Sequence, residues 1–418
     1  MKGLRTDVLV VGSGVAGISA AIAAKTANSG KEVVLVGEER PYRRPSIFSL
    51  IKGGSLEELS IFRKDLIVGV KTLFGVRVRK LDLYDRLAEL DNGEKIVFNC
   101  AVVATGSKPF VPPFEGSELS GVIPFRSYSD ALSVRKMLGI GSKCVIIGAG
   151  LIGVKLASIL HRSGMKVLLV ELKKVLWTLL EEPLSNYLRD LLISNGISVI
   201  EGGRVESILG GHRVSSVVID GRRYEADFVI VVTGVRPRTE IVADQLKLGV
   251  RGAIRTDKLM KTSIDGVYAC GDCAETIDLV SGRKTYRPIG SIAYKAGKLA
   301  GANSVGNERE YNGFIRLQGD DFLGISVTSI GLAGAEAESM GVNFKTLPLK
   351  PKGVKVGIYS ALFNPVGMFL GIVNGKERLI GFQAVGQRLS RKLINSISSL
   401  ISSKSNVNEL RSIGLEPA

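Results

Sequence analysis

Glycine spacing at two places constrains the fold of this chain more than any other feature. Gly12-Ser13-Gly14-Val15-Ala16-Gly17 and Gly148-Ala149-Gly150-Leu151-Ile152-Gly153 both read G-x-G-x-x-G. Each follows a short apolar run of buried-strand character, Val8 to Val11 and Cys144 to Ile147. Each also opens a stretch with helical apolar spacing. The first glycine permits the tight turn out of the strand. The second lets backbone approach a pyrophosphate, and the third lets the helix pack close to the strand. The diphosphate rests on unpaired N–H groups at the helix N-terminus, where the dipole favours negative charge. One such motif is a weak signal. Two in strand–turn–helix context predict two bound dinucleotides and electron transfer between them. The binding candidates are Gly12, Ser13, Gly14, Ala16 and Gly17, then Gly148, Gly150, Ile152 and Gly153.

Residues downstream of each motif extend the two sites. Lys166 to Val170 reads as the next strand and ends at Glu171. That is close to the roughly 20-residue distance expected for an acid on the adenosine ribose 2′-OH. A carboxylate there repels a 2′-phosphate, so NADH is favoured over NADPH, a preference weakened by Lys173 and Lys174 next to it. After the first motif the strand is Glu32 to Val36. Gly37 holds the usual acidic position, and Glu38 is favoured for the ribose role.

At 418 residues the chain is long enough for two to three domains. Its 56 Lys and Arg against 40 Asp and Glu give a net charge of +16. The basic residues are dispersed and no nucleic-acid motif is present, so nucleic acid is not expected as a partner. An acidic electron-carrier protein is the partner class such a charge could serve. No run of about 18 apolar residues lacks a charge, so no membrane span is expected. The N-terminus runs almost at once into a strand, leaving no room for a signal peptide, and a cytoplasmic location is expected. The four cysteines form no disulfide pattern, and with two histidines no metal site is expected.

Further along, Ile96 to Ala104 runs into Thr105-Gly106, and Phe228 to Val232 into Thr233-Gly234. With the glycine motifs, these matched strand ends read as an internal duplication. In this order the motifs resemble the FAD-dependent pyridine nucleotide–disulfide oxidoreductases over nearly the whole chain. The resemblance implies an α/β fold of two Rossmann-like FAD- and NAD(P)-binding domains plus an α+β C-terminal dimerisation domain. Its expected boundaries are 1–110 with 249–318 for FAD, 111–248 for NAD(P), and 319–418 for the C-terminal domain. The cofactors implied are FAD and NAD(H), with NADP(H) also open, and the assembly implied is a homodimer. Tyr268 to Asp272 looks like the second FAD motif, with Asp272 on the ribityl chain. Thr105 and Gly106 look like the turn near FAD, and Gly234 like its counterpart for the nicotinamide dinucleotide. Pro288 to Ala293, with Ser291, resembles the helix start facing the flavin pyrimidine, where a positive helix end stabilises reduced flavin. Ser329 to Ala337 and Leu379 to Gly386 are similar to the NADH oxidase and CoA-disulfide reductase branch.

The chain departs from that branch at its redox cysteine. The branch places it eight residues before the second glycine of a Gly-Gly pair; here that position is Ser46, before Gly53-Gly54. Serine has no accessible thiolate and cannot cycle through a disulfide or sulfenic acid. Tyr42-Arg43-Arg44-Pro45 instead resembles the rubredoxin, ferredoxin and nitrite reductase flavoproteins, which implies that Arg44 contacts FAD. Those relatives carry a lysine and a glutamate as an ion pair beside the flavin. Here the two positions are Ser49 and Lys155. Lys155 is expected to supply a lone ammonium near the flavin N5, and Lys155, Ser46 and Ser49 are the candidate catalytic positions. Cys270 and Cys273 form C-x-x-C but flank the Gly271-Asp272 turn, which favours a structural reading. The expected function is an FAD-dependent NAD(P)H oxidoreductase. It passes hydride from NADH to flavin and electrons on to a carrier protein, O2 or a small acceptor. The alternatives are a CoA-disulfide, polysulfide or persulfide reductase, and a catalytically silent nucleotide-binding sensor or structural subunit.

Overall fold

A computed structural model describes residues 4–61, 67–352 and 367–418 of the protein. They divide into two compact units, Met1–Lys108 with Val235–Phe314, and Pro109–Gly234 with Ile315–Ala418.

In the first unit the strand Leu4–Val11 pairs in parallel with Val33–Gly37 on one side and Lys95–Val103 on the other. Val70–Phe74 extends the sheet past Val33–Gly37, and Val267–Ala269 joins beside Lys95–Val103. Parallel strands lie covered on both faces, which is why the central stretches Val8–Val11, Val33–Val36 and Ala101–Val103 are Val, Leu and Ala alone. Val8, Val10, Val33, Leu35 and Val102 pack on one face of the sheet, and Leu9, Val11, Val34, Val36 and Val103 on the other. The helix Val15–Ala27 follows the first glycine turn. It packs against the helix Gly290–Asn303 at very short range. A Cβ on Gly297 would fall 2.2 Å from the Ala16 carbonyl oxygen, and one on Gly301 would fall 2.0 Å from that of Ala20.

The second unit repeats the plan. Its parallel sheet runs in the order Ser198–Glu201, Lys166–Glu171, Lys143–Ile147, Phe228–Val231, Val122–Pro124. The duplication extends to single hydrogen bonds. Gly12 N–H donates to Val36 O and Gly148 N–H to Val170 O, both at 2.8 Å. Ala104 N–H donates to Val11 O and Val232 N–H to Ile147 O, again both at 2.8 Å. A three-stranded antiparallel sheet of Val205–Gly210, Val214–Ile219 and Arg222–Glu225, and a six-stranded antiparallel sheet built from strands between Leu317 and Pro417, also belong to this unit.

One stretch lies elsewhere than the sequence reading puts it. Residues 235–248, placed there with the second nucleotide domain, belong to the first unit. Val242 and Leu246 are buried with Leu9, Val11 and Leu81. Gln245 accepts from Leu83 N–H and donates to Leu81 O, each at 2.8 Å. The C-terminal residues build their own six-stranded sheet and cluster in one unit with 109–234. Buried polar contacts tie them: Ser329 Oγ donates to Leu179 O at 2.7 Å, and Glu181 N–H donates to Gln383 Oε1 at 2.7 Å. Serine and glutamine carry no apolar periodicity, so nothing in the hydrophobic pattern announced these contacts.

Candidate functional site

The two glycine turns share one geometry. Gly12 has φ +115° and Gly148 φ +107°, a region that favours glycine. A Cβ on Gly12 would lie 2.1 Å from Ala104 O, and one on Gly148 would lie 2.6 Å from Val232 O. A Cβ on Gly17 or Gly153 would lie 1.7 or 1.9 Å from the carbonyl oxygen of its own motif's first glycine. The middle glycines, Gly14 and Gly150, have nothing within 4 Å on that side. Backbone is therefore packed tight behind each turn and open in front, which is the cradle a pyrophosphate requires.

Helix termini reinforce this. The helices Val15–Ala27, Leu151–Arg162 and Gly290–Asn303 begin with no side-chain cap and no acid in the first turn. The helices Leu56–Leu59, Tyr128–Met137 and Arg391–Ser402 are capped by Ser55, Ser127 and Ser390. An uncapped helix start leaves N–H donors for a ligand. Three such starts stand where the sequence reading puts the FAD pyrophosphate, the nicotinamide dinucleotide pyrophosphate and the flavin ring. These residues fit both cofactors. Ser291 lies exposed in the first turn of the third helix, and Ile152 is an exposed apolar residue in the first turn of the second.

Within the first unit, the strand Val267–Ala269 delivers Gly271-Asp272 to the first glycine turn. Gly271 has φ +77°, and a Cβ there would lie 2.6 Å from that of Ala16. Asp272 Oδ2 accepts from Ser107 Oγ at 3.1 Å. Thr105 Oγ1 donates to Arg238 O at 2.5 Å, and Gly106, φ +76°, has open space in front of it. Asp272, Thr105, Gly106 and the glycine turn, far apart in sequence, thus share one unit. Ser13 Oγ donates to Glu39 O at 2.6 Å. This explains Gly37 at the usual acidic position: a Cβ on Gly37 would lie 2.1 Å from Ser13 Oγ. Glu38 carries the carboxylate instead, gripped by Arg77 at 2.9 Å with Arg238 at 3.8 Å. Arg44 lies 3.5 Å from Glu39 and places its guanidinium carbon 5.2 Å from the centre of the Tyr42 ring. Ser46 and Ser49 sit together on one turn, with Ser49 Oγ donating to Ser46 O at 3.0 Å.

Within the second unit, Glu171 folds back on its glycine turn. Its carboxylate accepts from Ala149 N–H at 2.8 Å and from Lys173 N–H at 3.1 Å. Beside it a cavity of about 550 Å³ is lined by Lys173, Lys174, Trp177, Glu201 and Gly202. The Lys173 ammonium lies 4.0 Å from the Trp177 ring centre. Gly234, φ +113°, has nothing within 4 Å of the Cβ position.

Lys155 requires a correction. The sequence reading gives it a lone ammonium, yet Nζ lies 2.5 Å from Asp320 Oδ1. Asp320 belongs to the edge strand Leu317–Phe322, far along the chain in a segment without a motif, so no spacing rule could pair the two. Sequence reasoning also missed Arg77 as the partner of Glu38. It missed Gly297 and Gly301 too, although their four-residue spacing on a helix is a readable close-packing signal.

The four cysteines are free thiols. Burial holds Cys144 and Cys270 well above the ordinary thiol range and raises Cys100 and Cys273 as well. Cys273 Sγ donates to Cys270 O and Val103 O at 3.3 and 3.4 Å, which ties the C-x-x-C segment into the core. Among the described residues, no helix is long and apolar enough to cross a membrane.

Comparison with known proteins agrees with this geometry. The chain is 29% identical to an NADH oxidase of Methanocaldococcus jannaschii, covering 96% of this chain and 92% of that one. It is 31% identical to a CoA-dependent NAD(P)H sulfur oxidoreductase of Pyrococcus furiosus, over 76% and 72% of the two chains. Among solved structures it is similar to a NAD-dependent persulfide reductase from A. fulgidus, with TM-score 0.89, 28% identity, and coverage of 99% and 80%. The family description for pyridine nucleotide-disulphide oxidoreductase matches residues 6–285, and the chain belongs to that family.

Proposed function

We propose that this FAD-dependent NAD(P)H oxidoreductase takes hydride from NADH and passes the electrons to an external acceptor without a thiol relay. The observation that carries the reading is the state of its sulfur. Ser46 stands at the relay position, and all four thiols are shifted upward by burial, which disfavours the thiolate needed for exchange.

FAD supplies the hydride acceptor and redistributes the electrons when bound. The chain's own residues bind and orient. Gly12, Ser13, Gly14, Ala16 and Gly17 offer backbone to the FAD diphosphate, with Thr105, Gly106, Arg44, Glu38, Asp272 and Ser291 around them. Gly148, Gly150, Ile152 and Gly153 take the nicotinamide dinucleotide, Glu171 its adenosine ribose, and Gly234 closes the turn. Lys155 stands on the helix that holds this second dinucleotide. Ser46 and Ser49 occupy the places of the relay cysteine and the flavin-side lysine, and contribute no redox group. The acceptor is a carrier protein, which an acidic face would bring to this +16 chain, or O2. We place the enzyme in the cytoplasm as a homodimer formed through the C-terminal sheet.

A second reading, reduction of CoA-bound or inorganic sulfur, draws support from the names of the relatives. It requires a small thiol to arrive as co-substrate, since Ser46 cannot supply one. The test is anaerobic titration with NADH, then turnover with O2, rubredoxin, ferredoxin and disulfides, before and after alkylation of the thiols under native conditions. Bleaching of the flavin and turnover unchanged by alkylation are expected. Loss of turnover on alkylation would refute the thiol-free route.

A further inference from the structure

We infer that Asp320 is a positioning residue whose carboxylate balances Lys155 and so sets the relative affinity of the site for NAD+ and NADH. The inference rests on the reading that the helix Leu151–Arg162 receives the nicotinamide dinucleotide.

Three observations carry it. Lys155 lies two residues beyond Gly153, on the opening turns of a helix whose start is uncapped and whose residues Gly150 and Ile152 are open to a ligand. Its ammonium is not committed to solvent: the side chain is 24% exposed, that of Asp320 is 30% exposed, and the two meet at 2.5 Å. Asp320 is itself held, because its Oδ1 also accepts from Asp321 N–H at 2.8 Å, while the Asp321 carboxylate faces Arg388 at 3.6 Å. Asp320 is thus a fixed counter-charge, and the strand Leu317–Phe322 that carries it is locked by pairing with Ile325–Gly331.

The chemistry follows from charge. Dihydronicotinamide is neutral. When it gives up hydride, one proton with two electrons, to the acceptor the enzyme holds, its ring becomes a pyridinium of charge +1. An unbalanced ammonium nearby opposes that change and weakens binding of NAD+ relative to NADH. Pairing with Asp320 cancels the net charge, so the ring can turn cationic without facing a bare cation. Lysine at this position is tolerable because an aspartate from the C-terminal sheet accompanies it.

The test measures binding rather than turnover. Oxidised holoprotein is titrated by calorimetry with NAD+ and with 1,4,5,6-tetrahydro-NAD, whose ring is neutral and has no hydride to give. Asp320→Asn is expected to weaken NAD+ relative to the neutral analogue by roughly fivefold, or about 1 kcal/mol at 1.4 kcal/mol per tenfold. Lys155→Gln is expected to shift the ratio the opposite way, and the double variant to return within about twofold of wild type. A purely structural bridge would weaken both ligands equally, and equal weakening, or no change, overturns the inference. Failure of the wild type to bind either ligand would overturn the underlying nucleotide-site reading instead, and this inference with it.

Discussion

Replacing Gly301 with valine tests whether helix contact builds the flavin site. A Cβ at this position would stand 2.0, 2.6 and 2.7 Å from the carbonyl oxygen, carbonyl carbon and Cα of Ala20, all backbone. Rotamer changes cannot relieve a clash with backbone, so the helices Val15–Ala27 and Gly290–Asn303 must part by about 1 Å or more. Helix propensity returns only a few tenths of a kcal/mol for Gly→Val, and overpacking by three carbons costs about 2–4 kcal/mol. For a unit of this size that corresponds to a fall in Tm of roughly 5–15 °C. The same displacement carries Ala16 and the first glycine turn away from Gly271 and Asp272. FAD occupancy therefore falls along with stability, and added FAD restores part of the Tm through linkage. The assay is absorbance at the flavin band against protein, with thermal unfolding at several FAD concentrations. Tyr294→Ala, on the exposed side of the same helix, serves as the control. Full flavin occupancy with Tm within about 1 °C of wild type would show that the glycines are not needed for the contact, and the reasoning would fail.

Two further outcomes follow from the site and the core. Glu171→Ala removes the carboxylate expected to meet the ribose and leaves Lys173 and Lys174 beside it; the kcat/KM ratio of NADPH to NADH should rise about tenfold or more, and an unchanged ratio would detach Glu171 from coenzyme selection. Tyr311 is pushed up to about 12 by burial, although its hydroxyl oxygen accepts from Ile277 N–H at 3.0 Å. Its folded value exceeds the ordinary value of 10.0, so its contribution is whole below pH 10.0 and is lost as pH climbs through about 12. Wild type should therefore lose stability across that interval more steeply than Tyr311→Phe; parallel curves would contradict the assignment.

Legibility in the sequence tracked the range of the interaction. The glycine turns, the strand before each and the helix after each rest on neighbours a few residues away, and the motif spacing predicts all of them. Asp272 and Gly271 were reachable because a second motif marks them, although the first glycine turn lies far up the chain. Gly37 looked like a missing acid until its contact with Ser13 gave it a steric reason. Asp320 and Arg77 were not legible at all. A charge on a strand of mixed polarity, as Asp320 is, or just before one, as Arg77 is, has no periodic signature, and its partner is chosen by the fold. The same holds for Val242, Gln245 and Leu246, whose short segment is read with the domain before it but packs with the domain after it.

The strand Val267–Ala269 lies against Lys95–Val103, with the entire stretch 109–234 between them in the chain. During synthesis Lys95–Val97 can pair at once with Leu87–Glu89, but the Ala101–Val103 end of the same strand waits uncovered until the chain has passed Ala269. The parallel strands from Val122 to Val231 need no later segment and can close first. Contacts of such long sequence separation form slowly and leave an apolar edge open to mispairing. The nascent chain thus completes the parallel sheet of the second unit before that of the first. On the proposed assignment of FAD to the first glycine turn, flavin arriving early meets a turn that still lacks Asp272, and its capture is expected late in assembly.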